Sequence, residues 1–223
     1  MEFGRSDRWR LPTAIKILIA GGFGAGKTTM VGAVSETRPL RTEEALTQVG
    51  VHVDDLAGVE RKLTTTVAMD FGRITIRNDY MLYLFGTPGQ ERFWFVWDEL
   101  AMGALGAVVL ADTRRLEDCF PAVDYFEKRD QPFIVALNCF EGTSAFTVGE
   151  VRSAIGLEPD VPIVRCDARR RDSGREVLIT LVEHAMRRGV TPSGPCCDHH
   201  RLPLIRWRRS TAGSSRCWPA TAA

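Results

Sequence analysis

Gly21-Gly22-Phe23-Gly24-Ala25-Gly26-Lys27-Thr28 matches the phosphate-loop pattern G-x-x-x-x-G-K-[ST] and anchors the interpretation of the whole chain. The apolar run before it, residues 14–20, predicts a buried strand, and residues 28–36 after it can form a helix. In that setting, successive backbone N–H groups and the N-terminus of the helix surround a phosphate group. The stretch therefore predicts a nucleotide site, with a ligand-free glycine-rich turn as the alternative.

The loop also predicts which groups contact the nucleotide. We expect Lys27 to reach the β- and γ-phosphates and the Thr28 hydroxyl to bind Mg²⁺. The residues of this segment that we expect to contact the nucleotide are Gly21, Phe23, Gly24, Ala25, Gly26, Lys27, Thr28 and Thr29.

Composition favours one main domain with two appendages. A chain of 223 residues that is 44% hydrophobic can bury one substantial core. Residues 190–223 hold five Arg and one Asp without apolar periodicity, which predicts a disordered tail. We expect an N-terminal extension over residues 1–13 and the domain over residues 14–189. Residues 1–189 have a net charge of −3, which argues against general nucleic-acid binding.

The sequence carries no signal for membrane insertion or a lipid anchor. No apolar run approaches the roughly 18 residues of a membrane span, and residues 1–12 are charged where a signal peptide is apolar. Glu2 and the final Thr-Ala-Ala do not fit acylation or prenylation patterns. We expect a cytoplasmic protein without a direct membrane anchor, which a partner would recruit to the inner membrane face.

Alternation of apolar and helical segments predicts an α/β sheet. Six strands are predicted, at residues 14–20, 67–76, 80–85, 104–111, 133–137 and 162–166. Helices are predicted at residues 28–36, within 90–102, and at 114–129, 147–155 and 173–188. A turn at Asn78-Asp79 would make the second strand antiparallel and leave the others parallel. Helices should cover both faces of this mostly parallel sheet.

Two details of these elements are predicted from local patterns. Ser173 and Glu176 fit a capping box, which would begin the last helix at Ser173. The long segment 39–63 carries a candidate short helix at residues 42–46.

Two further segments are candidates to sense a γ-phosphate. Thr66, at the start of the second predicted strand, can bind Mg²⁺ through its hydroxyl and the phosphate through its N–H, although Thr64 or Thr65 could take this role. Gly89 follows the third strand, where its N–H can meet the γ-phosphate, and Gln90 can orient the attacking water. Lys27, Thr66 and Gln90 are therefore the candidate catalytic residues, and Thr28 and Thr66 the candidate metal ligands.

These motifs together resemble the five boxes of Ras-like small GTPases. The matching segments, in chain order, are residues 21–28, Thr66, and residues 86–90, 138–141 and 166–168. The phrases around them are most similar to the bacterial conservon GTPases. The resemblance implies a P-loop NTPase G domain, the ligands GTP, GDP and Mg²⁺, and two partners, a Roadblock/LC7 protein and a sensor-kinase-like protein.

The chain departs from that family at two boxes. Gly86 stands where the family has Asp, so we expect weaker or differently supported Mg²⁺ binding. The fourth box reads Asn138-Cys139-Phe140-Glu141 instead of Asn-Lys-x-Asp, and Asn138 and Glu141 are the candidate guanine readers. Ala168 would offer its N–H to the guanine carbonyl oxygen. ATP or relaxed purine use stays the alternative, since a displaced carboxylate loses base discrimination.

Bulky side chains near the site bear on regulation. The Phe23 ring would obstruct an activator's arginine, which predicts slow turnover. Arg92 is a candidate internal arginine, although an exposed helix-side role is the alternative. Phe93, Trp94, Phe95 and Trp97 cannot all pack inward on a 3.6-residue period, so some should form a partner surface.

The sequence thus favours a GTP-binding switch with slow GTP hydrolysis in a bacterial signalling complex. Two alternatives stay open. One is a nucleotide-bound scaffold without significant hydrolysis, motivated by Gly86 and Phe23. The other is an ATP-using P-loop protein.

Overall fold

The computed structural model describes residues 12–38, 40–47, 64–76, 79–89, 94–140 and 146–190. These residues contain a seven-stranded sheet with the order β2-β3-β4-β1-β5-β6-β7. The strands are β1 Thr13–Gly21, β2 Leu40–Thr47, β3 Thr64–Ile76, β4 Tyr80–Gly86, β5 Ala104–Asp112, β6 Phe133–Asn138 and β7 Ile163–Cys166. The helices are α1 Lys27–Val34, α2 Trp94–Ala101, α3 Phe120–Lys128, α4 Val148–Ile155 and α5 Arg171–Arg187, with a short 3-10 helix at Leu116–Cys119.

The predicted fold class is confirmed. β3 pairs antiparallel with β2 and with β4, while the other strand pairs are parallel, so β3 alone among the described strands runs opposite to the rest. The sheet has seven strands rather than the predicted six. The helix predicted at residues 42–46 is wrong, because this segment forms β2 at the sheet edge, with Leu40 opposite Phe71 and Thr47 opposite Thr64.

Two apolar clusters hold helices against the two faces of the sheet. Residues of α1 and α5 pack with Ile17, Val108 and Leu110 on one face. Residues of α2, α3 and α4 pack with Leu18 and Val109 on the other. Because both faces are covered, β1, β5 and β6 are buried almost continuously, which is typical of parallel strands in α/β proteins.

The two helix starts with a capping-box pattern behave differently. At α4, the Glu150 N–H donates to the Thr147 hydroxyl oxygen at 3.2 Å and the Thr147 N–H donates to the Glu150 carboxylate at 2.7 Å. The capping box predicted at Ser173 does not form, because α5 begins at Arg171. The Ser173 hydroxyl oxygen instead accepts a hydrogen bond of 2.9 Å from the Asp167 N–H and fixes the turn after β7.

The parallel strands β1, β4, β5, β6 and β7 have their carboxyl ends on the same side of the sheet, which is where ligands bind in open α/β folds. The loops that carry the predicted site residues leave the sheet at this edge. Within the part of the chain that the structure describes, no helix has both the length and the apolar character to cross a membrane.

Candidate nucleotide-binding site

The phosphate loop connects β1 to α1 and is closely packed against its neighbours. Gly26 precedes α1 in the left-handed region, with φ of 104°, and a Cβ there would lie 2.6 Å from the Asn138 amide nitrogen. No side chain fits at that position without displacing Asn138. The glycine therefore permits the turn that directs the first N–H groups of α1 into the loop.

The Lys27 ammonium lies inside the loop. Its Nζ donates to the carbonyl oxygens of Gly21 and Gly22 at 2.9 and 2.7 Å. Burial lowers the pKa of Lys27 to about 8, and the nearby Asp70 carboxylate opposes this shift. A partly desolvated ammonium group at the centre of a loop of backbone amides is suited to bind phosphate oxygens.

Gly89 is brought against the same loop. A Cβ on Gly89 would lie 2.8 Å from Lys27 Nζ and 3.1 Å from the Phe23 backbone nitrogen. Two hydrogen bonds hold this segment: the Thr87 N–H donates to the Ile19 carbonyl at 2.9 Å, and the Trp97 indole N–H donates to the Pro88 carbonyl at 3.1 Å. The segment leading into α2 therefore contacts the lysine that is expected to bind phosphate.

Asn138 joins three of the predicted boxes. Its amide nitrogen donates to the Ala25 carbonyl at 2.9 Å, and its amide oxygen accepts from the Ala168 N–H at 3.0 Å. The side chain is only 4% exposed. The Ala168 N–H, which we expected to meet a guanine oxygen, is thus used by Asn138 here. Asn138 links the phosphate loop, the end of β6 and the turn after β7.

Asp70 is a site residue that the sequence patterns did not indicate. The Thr28 hydroxyl donates a hydrogen bond to its carboxylate. Asp70 lies opposite Gly86 in the antiparallel pair of β3 and β4. A Cβ on Gly86 would be 3.0 Å from Asp70 Cβ and 3.3 Å from its Oδ2. The Asp70 side chain therefore fills the space that a side chain at position 86 would need.

The chemistry of this pair fits Mg²⁺. The hydroxyl of Thr28 and the carboxylate of Asp70 are adjacent oxygen donors next to the phosphate loop. Mg²⁺ is commonly held by one or two such protein oxygens together with substrate phosphates and water. Thr28 would be the direct ligand, with Asp70 beside it as the supporting carboxylate.

A comparison with protein families agrees with this geometry. Residues 19–188 match the model of a family described as "Conserved hypothetical ATP binding protein". The chain belongs to this family. It is therefore a nucleotide-binding P-loop protein, and its fold is one that supports nucleotide hydrolysis.

Solved G domains share the fold of this ATP-binding family member. The G domain of the T. maritima FeoB iron transporter is 18% identical, with a TM-score of 0.53, and the match covers 77% of this chain and 99% of that one. The cytosolic domain of the same transporter in a GDP form is 18% identical, with a TM-score of 0.56 and coverage of 78% and 64%. At this level of identity the likeness shows the fold alone.

A curated relative extends the comparison by sequence. Uncharacterized protein MJ1339 of Methanocaldococcus jannaschii is 31% identical over 101 residues, which are 45% of this chain. The match spans about half of the relative, 53% of its length.

Several predicted residues of this family member have no described side chain. Gln90 and Glu141 lie outside the described residues, as do Arg92 and Phe93. Thr66 belongs to β3, where it pairs with Ala45, but only its backbone is described. The tail predicted from residue 190 also lies outside the described part from residue 191 onward.

The aromatic residues at the site divide between surface and core. Phe23 is 69% exposed at the tip of the phosphate loop, and Phe95 is 57% exposed on α2. Trp97 is buried, stacked near Phe126 and edge-on to Tyr125. Trp97 therefore belongs to the core, while Phe95 lies on the surface of α2.

Proposed function

We propose that the protein is a GTP-binding molecular switch that slowly hydrolyses GTP to GDP and phosphate. The observation that carries this proposal is the approach of Gly89 to Lys27 and to the Phe23 backbone nitrogen. A γ-phosphate bound by Lys27 would meet the Gly89 N–H, so its presence or loss would change the segment that leads into α2. A switch needs this direct connection between phosphate and a movable element.

The remaining residues take roles that follow from their chemistry. Lys27 binds phosphate oxygens, Thr28 and Thr66 bind Mg²⁺, and Asp70 supports the metal from the neighbouring strand. The metal, when bound, neutralises charge on the phosphates. Gln90 orients a water molecule whose oxygen attacks the γ-phosphorus while the bond to the GDP oxygen breaks, and the water's proton passes to the released phosphate.

The base preference depends on the residues of the fourth box. Hydrogen bonds to Ala25 and Ala168 fix the Asn138 side chain, which would lie beside the purine ring. Glu141 would accept hydrogen bonds from the two guanine N–H groups. A site built to pair with those groups discriminates strongly against adenine. The family's description as ATP-binding favours the second candidate, an ATP-using P-loop protein.

Single-turnover phosphate release separates a hydrolysing switch from a nucleotide-bound scaffold. GTP-loaded wild type should release phosphate, and Gln90→Leu should release it at least tenfold more slowly. Gln131→Leu is the matched control, because the Gln131 amide binds the carbonyls of Ala101 and Ala104 away from the loop. Equal and negligible rates for wild type and Gln90→Leu would favour the scaffold.

We also propose that α2 presents the surface for signalling partners, a Roadblock/LC7 protein foremost and a sensor-kinase-like protein in the same complex. The exposed Phe95, next to a segment that contacts Lys27, supports this surface. Phe95→Ala should weaken binding of the GTP-loaded protein to a Roadblock dimer at least tenfold. Phe146→Ala, a change at a phenylalanine that is 45% exposed before α4, is the matched control. If Phe95→Ala and Phe146→Ala bind the Roadblock dimer with the same affinity, the proposal is contradicted.

A further inference from the structure

An arginine that follows β5 reaches back to the phosphate loop. Arg115 Nη2 donates to the Phe23 carbonyl oxygen at 2.8 Å. The same nitrogen lies 3.3 Å from the position that a Cβ on Gly24 would take. The guanidinium is therefore at the outer rim of the loop, beside the residues whose backbone faces the phosphates.

Local contacts hold Arg115 in this direction. Its Nη1 is 3.5 Å from the Asp118 carboxylate, and the Asp118 N–H donates to the Arg115 carbonyl at 3.2 Å. Asp118 in turn packs against the loop, since a Cβ on Gly22 would lie 2.4 Å from Asp118 Cβ. The neighbouring Arg114 points elsewhere, toward the buried Asp112 carboxylate, with its Nε 2.9 Å from Oδ1. Of the two adjacent arginines, only Arg115 contacts the phosphate loop.

The partners of Arg115 leave its charge available for a stronger acceptor. The bond to Phe23 is to a neutral carbonyl, and the ion pair with Asp118 is long and partly exposed, with side chains 49% and 35% exposed. A phosphate oxygen at the loop would replace a neutral acceptor with a charged one, and such a hydrogen bond is roughly twice as strong. Phe23 and Gly24 border the guanidinium, which places it next to the loop where the phosphate would bind.

We propose that Arg115 is a catalytic residue that binds the γ-phosphate during hydrolysis and gives this chain its own arginine in cis. The inference rests on the proposed GTP hydrolysis. In that reaction the water oxygen bonds to the γ-phosphorus and the bond to GDP breaks. Arg115 forms no covalent bond, and its N–H groups stabilise the negative charge on the transferring phosphate. The Phe23 ring is 69% exposed at the loop tip, where it would obstruct an arginine arriving from another protein.

The test compares Arg115→Ala and Arg115→Lys with wild type in the full-length chain. We expect Arg115→Ala to slow single-turnover GTP hydrolysis roughly a thousandfold, the low end of what an arginine in this role contributes. Binding of a non-hydrolysable GTP analogue should change by less than about threefold. Lysine should restore only part of the rate, because it keeps the charge without the planar fork. GDP with aluminium fluoride should be retained by wild type and not by Arg115→Ala.

Arg129→Ala is the matched control, because this arginine pairs with Asp98 and stacks on Tyr125 away from the loop. If wild type hydrolyses GTP and Arg115→Ala does so at the same rate as Arg129→Ala, the inference about Arg115 is overturned while the proposed function stands. If Arg115→Ala loses analogue binding and thermal stability along with hydrolysis, the inference is overturned as well, because such losses indicate a structural role for Arg115. Absence of hydrolysis in wild type would overturn both proposals.

Discussion

Exchanging Asp70 and Gly86 tests whether the carboxylate that accepts a hydrogen bond from Thr28 can be supplied equally well by β3 or by the neighbouring strand β4. The two residues form one cross-strand pair of β3 and β4, and the Asp70 carboxylate receives the Thr28 hydroxyl hydrogen bond. Three variants are needed: Asp70→Gly, Gly86→Asp and the double exchange. We expect both single variants to be impaired, for different reasons, and the double variant to recover.

The structure sets the size of each effect. In Gly86→Asp, the new Cβ would lie 3.0 Å from Asp70 Cβ and 3.3 Å from its Oδ2, so the pair is overpacked as well as doubly charged. Overpacking of this kind costs about 1–3 kcal/mol, which lowers the melting temperature by roughly 5 °C in a domain of this size. In Asp70→Gly, loss of the supporting carboxylate should weaken Mg²⁺ binding about 10- to 100-fold. The double variant should return to within about threefold of wild type.

The assay is release of a fluorescent GDP analogue as a function of Mg²⁺ concentration, combined with thermal unfolding. Asp79→Gly makes the same substitution at the other end of β4 and should leave the Mg²⁺ dependence unchanged, since Asp79 contacts Thr13 through its backbone carbonyl. A wild-type Mg²⁺ dependence in Asp70→Gly would contradict the role of the Asp70 carboxylate. A double exchange that binds Mg²⁺ no better than Asp70→Gly would contradict it as well.

Three further predictions concern stability, each checked by chemical unfolding. Burial lowers the pKa of Lys27 to about 8 from 10.5, so the folded state binds fewer protons than the unfolded state between pH 8 and 10.5. Relative to Lys27→Met, the unfolding free energy of wild type should therefore rise with pH over this range, by up to about 3 kcal/mol. Burial and Arg188 lower the pKa of His184 below 6.5, so the unfolding free energy should fall as pH drops below 6.5. His184→Gln should remove this fall in stability. An unchanged pH dependence in His184→Gln would contradict the role of His184. Thr147→Ala should cost about 1 kcal/mol by breaking the capping box with Glu150, and a loss below about 0.3 kcal/mol would contradict that contribution.

Local patterns in the sequence were enough to predict the phosphate loop and most of the sheet. Residues 21–28 carry their own geometric requirements, because glycine must stand where φ is positive and lysine where the loop closes. Strands buried on both faces show as continuous apolar runs, as in β5 and β6. These features depend on neighbours in sequence, and so they can be read without tertiary contacts.

The errors arise where tertiary contacts override a local preference. Residues 40–47 contain Glu, Ala and Leu, which favour a helix, yet they form β2 because β3 offers an antiparallel partner along its length. Thr147 and Ser173 fit the same capping pattern, but only Thr147 caps a helix. The Ser173 hydroxyl is taken by the Asp167 N–H, a contact that depends on how β7 meets α5.

The role of Asp70 was accessible from the sequence only through pairing across the sheet. Counting outward from a two-residue turn at Asn78-Asp79 places Asp70 opposite Thr87, one residue beyond Gly86, which is its partner in the structure. Gly86 and Asp70, whose carboxylate fills the space beside it, form a single cross-strand pair. Arg115 gave no comparable signal, because its contact with Phe23 spans 92 residues of sequence.

The most direct test of the account is calorimetric binding of GTP, GDP and ATP to the full chain in the presence of Mg²⁺. We predict that both guanine nucleotides bind at least 100-fold more tightly than ATP, a difference of about 2.7 kcal/mol. Comparable affinity for ATP would contradict the assignment of a GTP-dependent switch, and absence of binding by all three nucleotides would contradict the site itself.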